Sequence, residues 1–270
     1  IDVEGTIMYS SGSGFGASGA SAERIVAAIR QAEKDGVKGL LLQINSPGGT
    51  ASASQAIYQE LLRVRKAGKM KIIAAMGDVA ASGGYYIACA AEKIYANPAT
   101  ITGSIGVISQ STKLEGLYKK VGLEAEVIKS GKHKDIGSPY RDMTAEERKI
   151  LQDLIDDTYE DFLGAVAEGR GMKVEVVRPL ADGRIYTGNQ AQKHKLIDEL
   201  GGYTVAMSAL KKATNSSDSP VIKNYSKPGI EDVFSMLGAE AARWSPTAAL
   251  QQITQQELQH LNKVPLMIYR

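Results

Sequence analysis

Apolar and polar positions change period several times along this chain, and each change marks an element. Residues Ile1 to Met8 alternate apolar with polar side chains, the pattern of a half-buried strand. After a Gly/Ser/Ala loop from Ser10 to Ser21, the residues Ile25, Val26, Ala28, Ile29 and Ala32 fall on one face of a helix. Ser21 is placed to cap that helix and Gly36 to end it. Val37 to Asn45 is a nearly continuous apolar run, as in a strand buried on both faces, and it leads into the turn Ser46-Pro47-Gly48-Gly49-Thr50. A helix over 53–65 and a strand over 71–76 follow. That strand runs into a second small-residue turn, Gly77 to Gly84 with Ser82 inside it, before helical composition resumes at Tyr86 to Ala91. Strand, helix, strand, glycine turn, helix, strand, glycine turn, helix is the alternation of an α/β fold with short crossovers.

Further on, 94–96 and 106–109 read as strands bracketing the turn-rich stretch 98–104, and a helix over 113–120 and a strand over 124–129 come next. The loop 130–139 has turn residues at both ends. Thr144 and Glu147 have the spacing of a capping box and open the longest helix, to about Glu168. Its apolar positions Ile150, Leu151, Leu154, Ile155, Phe162 and Val166 suit packing on a sheet or on a neighbouring subunit. Val174 to Ala181, Tyr203 to Ala213 and a short strand Val221 to Tyr225 complete the sequence pattern of the globular part. The polar stretch Thr214 to Pro220 sets a domain boundary, giving a body of 1–214 and a C-terminal extension of 215–270. In the extension, 230–243 and 247–261 read as helices, and Val264 to Arg270 is an apolar tail suited to docking as an added strand in an active-site groove, with self-trimming as the consequence.

Composition narrows the function classes. Lys and Arg are interspersed with Asp and Glu, the formal charge is +2, and aromatic residues do not interleave with the basic ones, so nothing in the chain calls for nucleic acid. The single cysteine, Cys89, lies in an apolar helical context, which leaves no disulfide framework and no thiol metal site. His133, His194 and His260 are too dispersed for a histidine zinc motif, and no cofactor is implied. No apolar run reaches the roughly 18 residues of a membrane span. The chain starts at Ile1, within a strand pattern, so a removed signal sequence or membrane anchor is expected ahead of it.

The chemistry gathers around Ser82. A serine in a strand-to-helix turn among small residues stands near the positive end of a helix, where anionic character is favoured; it is equally the place of an ordinary N-cap serine. As a nucleophile it needs a base. The loop offers His133 and Lys134, with Lys132 and Lys129 as competing lysines. A lysine serves when its pKa falls from about 10.4 towards neutrality, and Ser/Lys pairs are a known variant of the catalytic triad. Gly49 and Gly83, in the two glycine turns, are placed to aim backbone N–H groups at an oxyanion, and Ser104 offers a neutral hydroxyl to orient a neutral lysine.

Four segments together carry a family resemblance: Asn45-Ser46-Pro47-Gly48-Gly49, Ala80 to Tyr86, Thr102 to Val107, and Ser130 to Asp135. In order and spacing, from near Ile1 to about Gly202, the chain resembles the signal peptide peptidase A family, bacterial serine peptidases of the Clp protease/crotonase fold, in its short Bacillus-type form. The resemblance implies repeated strand-strand-helix units with a helical C-terminal extension. It implies Ser82 as nucleophile, Lys134 as general base, Ser104 as the residue orienting the lysine, and Gly49 and Gly83 as the oxyanion hole. It further implies cleaved signal peptides as substrates, a single-pass N-terminal membrane anchor with the catalytic domain extracytoplasmic, and a homo-octamer with active sites near subunit interfaces, the serine and lysine of a site coming either from one protomer or from neighbouring ones. The same fold also hosts acyl-CoA lyases and hydratases of the crotonase type, the alternative reading. That chemistry calls for a carboxylate beside the two N–H groups, and neither glycine turn supplies one.

Overall fold

The computed structural model describes residues 1–10, 19–217 and 219–226. Strands β1 (Asp2–Glu4), β2 (Ile7–Met8) and β3 (Ala20–Ser21) precede helix α1 (Ala22–Lys34). Strand β4 (Gly39–Ser46), helix α2 (Ala51–Lys66), strand β5 (Lys71–Ala81) and the short helix α3 (Gly83–Ala88) carry the two glycine turns. Strands β6 (Lys93–Ala96) and β7 (Ile101–Gly103) lead to helices α4 (Glu115–Val121), α5 (Ala145–Arg170) and α6 (Val174–Val177). The described chain closes with β8 (Ile185–Thr187), α7 (Gly188–Lys193), β9 (Glu199–Leu200) and α8 (Tyr203–Ala213).

The central sheet runs β1-β4-β5-β6-β9, all parallel, because helical crossovers return each strand in the same direction. Strand β5 is long enough to pair twice: 73–76 pair with β6, and 79–81 pair in parallel with β7, to which β8 adds antiparallel. Both faces are covered, which explains the near-continuous apolar runs of β4 and β5. Leu40, Leu42, Ile44, Ile72, Ala74 and Met76 point to the larger core beneath α1, α2 and α3. Leu41, Ile73, Ala75 and Tyr95 point the other way, against Ala206 and Leu210 of α8. Ser21 caps α1 by accepting from the Arg24 N–H, and Thr144 and Glu147 close the capping box of α5. The described chain through Ser226 forms one compact unit.

Several expected strands are absent. Residues 106–109 and 124–129 have no strand partner, and apolar composition without a paired neighbour does not make a strand. The ladder instead stops at Gly103, where Ser104 turns with φ of 50°. Residues 221–225 likewise form no strand; this segment is held by side chains, with Tyr225 and Lys223 bonded to Asp35 at 2.7 and 2.6 Å and Asn224 to Asp2 at 3.1 Å. The short elements β7, β8, β9 and α7 went unread because each is too brief to show a period. The expected helices 230–243 and 247–261 and the apolar tail lie outside the described residues.

Residues 107–146 stand apart from the core. Not one of them is buried, although Ile108, Leu117, Val121, Leu123, Val127 and Ile128 are apolar. The first half of α5 continues this surface with exposed Ile150 and Leu154, while its second half packs Phe162, Leu163 and Val166 into the core.

Candidate active site

Strands β4, β5 and β7 are adjacent and parallel, so the residues just beyond their carboxyl ends converge, and in open α/β sheets this edge is where ligands bind. The three ends deliver Gly48-Gly49, Ser82-Gly83 and Ser104. Ala81 is in register with Gly103, the last pair of the ladder, and Ser82 and Ser104 are the residues that follow it on the two strands.

Ser82 has φ 51° and ψ −122°, a conformation that L-residues rarely adopt. It is locked there by two backbone bonds: its N–H donates to Gly103 O at 2.8 Å, and its carbonyl accepts from Tyr86 N at 2.9 Å. Ser82 occupies the N-cap position of α3, yet its side chain makes no capping bond. The hydroxyl is half-buried and has no hydrogen-bond partner among the described residues. Ser104 is turned in the same unusual sense, and its N–H donates to Arg184 O at 2.8 Å. Backbone strain of this kind costs about 1–3 kcal/mol per residue and persists where the surroundings over-determine it.

The glycines are dictated by crowding. A Cβ on Gly48 would lie 2.8 Å from both Ser82 Cβ and Gly83 N, and a Cβ on Gly83 would meet Ser54 Oγ at 2.3 Å. That Gly83 position also lies 3.3 Å from Gly49 N, so the two turns touch. The direction of the Gly49 N–H follows from its neighbours. Ile7 N donates to Gly48 O and Thr50 N donates to Ile7 O, each at 2.9 Å, so one edge of this short extended segment is used by β2. Gly49 therefore turns its own N–H away from β2. Among the described residues neither the Gly49 nor the Gly83 N–H has an acceptor, and the Gly83 N–H is one of the unpaired donors at the start of α3. The result is two free donors beside one free hydroxyl.

Residues that the sequence reading passed over hold this arrangement. Asn45 Oδ1 accepts from Val79 N at 3.2 Å across the irregular part of β5. Thr102 Oγ1, fully buried, donates to Ala80 O at 2.6 Å, and Thr100 Oγ1 donates to Gly77 O at 2.7 Å. Asn45 and Thr102 both lie inside the segments that drew attention, but nothing local marks their partners. Ser54, on the stretch 54–61 that the sequence suggests as a wall of a specificity pocket, sits on the buried face of α2. Behind Ser82, Tyr86 packs against Tyr58 and Phe162 with ring centroids 5.0 and 4.9 Å apart. Tyr85 donates to Leu196 O at 2.7 Å, and burial pushes the Cys89 thiol up to about 12, which leaves it inert as a nucleophile.

Lys134 lies elsewhere. It is exposed in the loop before α5, and within one chain it makes no hydrogen bond to Ser82 or Ser104 among the described residues. The other charged side chains of that loop are all engaged. Lys129 bonds Asp135 at 2.6 Å, Lys132 pairs with Glu146, His133 Nε2 lies 3.2 Å from Glu146 Oε1, and Asp135 is gripped by Arg141. The structure thus brings Ser82, Ser104, Gly49 and Gly83 together and leaves Lys134 as the loop cation with no ion-pair partner among the described residues.

Comparison with known proteins identifies the lineage. The model of peptidase family S49 matches residues 64–217. The chain is 41% identical over 78% of its length to a protein of Enterococcus faecium named "Putative signal peptide peptidase SppA". It is 34% identical over 84% of its length to Protease 4 of Haemophilus influenzae, and 35% identical over 81% to the chloroplastic serine protease SPPA of Arabidopsis thaliana. It spans 61%, 36% and 33% of those three relatives' own lengths, less than two thirds of each. By the family match across most of its middle and by these relatives, the chain belongs to peptidase family S49.

Proposed function

We propose that this protein is a serine peptidase in which Ser82 is the nucleophile and Lys134 the general base. The carrying observation is the strained Ser82, its hydroxyl unbonded, standing between the free N–H groups of Gly49 and Gly83. In this reading the neutral Lys134 amine takes the Ser82 Oγ proton as Oγ attacks the scissile carbonyl carbon. The carbonyl oxygen becomes the oxyanion and receives the two backbone N–H groups. Lys134, now an ammonium, returns the proton to the leaving amine; the same residue then activates water against the acyl-enzyme. Ser104, which follows the last ladder pair as Ser82 does on the neighbouring strand, is the hydroxyl that orients the amine without adding a charge.

Ion pairing supports Lys134 over its neighbours. A carboxylate beside a lysine favours the protonated form, which is useless as a base. Lys129 and Lys132 each hold such a partner and His133 leans on the Glu146 carboxylate, whereas Lys134 has none among the described residues.

The same reading makes the site a shared one. Lys134 belongs to the exposed apolar arm 107–146, and burial of that arm against another copy of the chain would carry the lysine to a neighbour's Ser82. We therefore propose a homo-oligomer, the octamer of the resemblance being the expected form, acting on peptides left by signal-sequence cleavage. An N-terminal single-pass anchor outside this chain would hold it at the cell membrane with the site extracytoplasmic. No helix among the described residues is long and apolar enough to cross a membrane.

The test is a fluorogenic peptide assay with a fluorophosphonate probe. Ser82→Ala should lose both turnover and labelling, and Lys134→Ala should lose turnover while remaining folded. Full turnover by Lys134→Ala would overturn the assignment of the base, and an acyl-CoA lyase would leave Ser82 unlabelled.

A further inference from the structure

Lys134 is flanked by a carboxylate it does not use. Asp135 is the next residue, yet both its oxygens are taken: Arg141 donates from Nε to Oδ2 at 2.9 Å and from Nη2 to Oδ1 at 2.8 Å, and Lys129 Nζ donates to Oδ1 at 2.6 Å. The same guanidinium reaches Glu147, with Nη1 donating to Oε2 at 2.9 Å and Nη2 to Oε1 at 2.5 Å. Glu147 is the third residue of the α5 capping box; its Oε2 accepts from Thr144 N at 2.9 Å, its own N–H donates to Thr144 Oγ1 at 3.2 Å, and its side chain is almost wholly buried. Arg141 thus sits between two carboxylates, one beside the base and one fixed in the first turn of the longest helix. A planar fork with five donors suits this double bidentate role, and a lysine does not.

We propose that Arg141 is a positioning residue for the Lys134 base: it ties the base loop to the start of α5 and occupies Asp135, so that the carboxylate nearest in sequence does not pair with the Lys134 amine. The inference rests on Lys134 being the base. The other charged groups around it are already partnered and do not substitute for Arg141. Lys132 and His133 share Glu146, Lys113 pairs with Asp142, and Lys129 bonds Asp135 through one oxygen and the Lys132 carbonyl as well. The Arg141 bonds, with Lys129 second, hold the Asp135 carboxyl well below the usual carboxylate range, as expected of a saturated, permanently charged group.

Removing Arg141 leaves Lys129 on Oδ1 of Asp135 but frees Oδ2 for the adjacent Lys134 amine, and a carboxylate near an amine stabilises its protonated form. A rise of one unit in the pKa of the base cuts the neutral fraction tenfold at any pH below it. The experiment is the pH profile of kcat/KM for peptide hydrolysis by the full chain, with native Arg141, with Arg141→Gln, with Arg141→Lys, and with Arg141→Gln combined with Asp135→Asn. The acid limb should move up by about one unit in Arg141→Gln, with roughly tenfold lower activity at neutral pH regained on the alkaline side. Arg141→Lys should move it less, and the double variant should return the limb to its native position. A limb that stays in place in Arg141→Gln while activity falls uniformly would overturn the proposal, because loss of structure alone scales the profile without shifting it. Where Arg141→Gln fails to fold, as read from its thermal midpoint, Arg141→Lys with and without Asp135→Asn is judged by the same limb. Lys134→Ala separates the two levels: activity retained there sinks the assignment of the base, whereas loss there with an unmoved limb in the Arg141 variants sinks this inference alone.

Discussion

Ser82 is held in a conformation that glycine would adopt freely, so a serine at this place costs stability. Ser82→Gly should abolish turnover yet melt higher than Ser82→Ala, by roughly 1 kcal/mol after allowance for the looser unfolded chain, or about 2–4 °C for a domain of this size. Calorimetry of the two inactive variants side by side checks this; equal midpoints would remove strain from the account. Gly83 makes the complementary case. Gly83→Ala would drive its Cβ into Ser54 Oγ and shift the N–H that the proposal assigns to the oxyanion hole, so kcat should fall by roughly 100-fold or more with the protein still folded. At this scale the residue types were legible in the sequence, since Gly48, Gly49, Ser82, Gly83 and Ser104 all stood in recognisable turns. Their dihedrals were not, because Ser82 is locked by a bond to Gly103 and Ser104 by one to Arg184, partners about 20 and 80 residues away.

Strand β5 shows what periodicity reads and what it misses. Lys71 to Met76 announces itself by apolar side chains, but the strand continues to Ala81 through Gly77 and Asp78, where the register with β4 shifts and side chains take over the bonding. Thr102 is one of those side chains, and Thr102→Val should destabilise the fold by about 1–3 kcal/mol by leaving the buried Ala80 carbonyl short of a donor. Chemical denaturation measures it directly. The reverse error occurred at 106–109, 124–129 and 221–225, where apolar residues face solvent or neighbouring side chains and no backbone ladder forms. Helix α5 was legible at its start for a chemical reason, the Thr144–Glu147 box, and that reason has a pH signature. Glu147 is held at about 2, first by Arg141 and then by the Thr144 backbone, against an ordinary 4.5. A depressed carboxylate contributes stability above its unfolded value and loses it as pH falls towards its folded one. The protection factors of amides in the first turn of α5 should therefore fall between about pH 4.5 and about 2, and Glu147→Gln should flatten that dependence.

At the scale of the molecule, the Clp protease/crotonase-like α/β class expected from the four segments is the fold of this S49 chain, a parallel sheet covered on both faces. The order of those segments was legible because a parallel sheet delivers successive strand ends to one edge. The relation between Lys134 and Ser82 was not, since sequence order carries no information about which copy of a chain supplies a loop. Residues 107–146 contain no buried side chain, and Ile128 is 95% exposed, so the account requires a second copy to cover this arm. Ile128→Glu combined with Leu154→Glu should lower both the assembly mass seen in sedimentation and the activity, leaving the monomer folded. The most direct measurement mixes two inactive proteins, Ser82→Ala and Lys134→Ala, under conditions where subunits exchange. If Lys134 serves a neighbour's Ser82, some sites in the mixture unite a native serine with a native lysine, and peptide hydrolysis should reappear at on the order of a quarter of the native rate. A mixture that co-assembles by mass and stays inactive would contradict a site completed between copies.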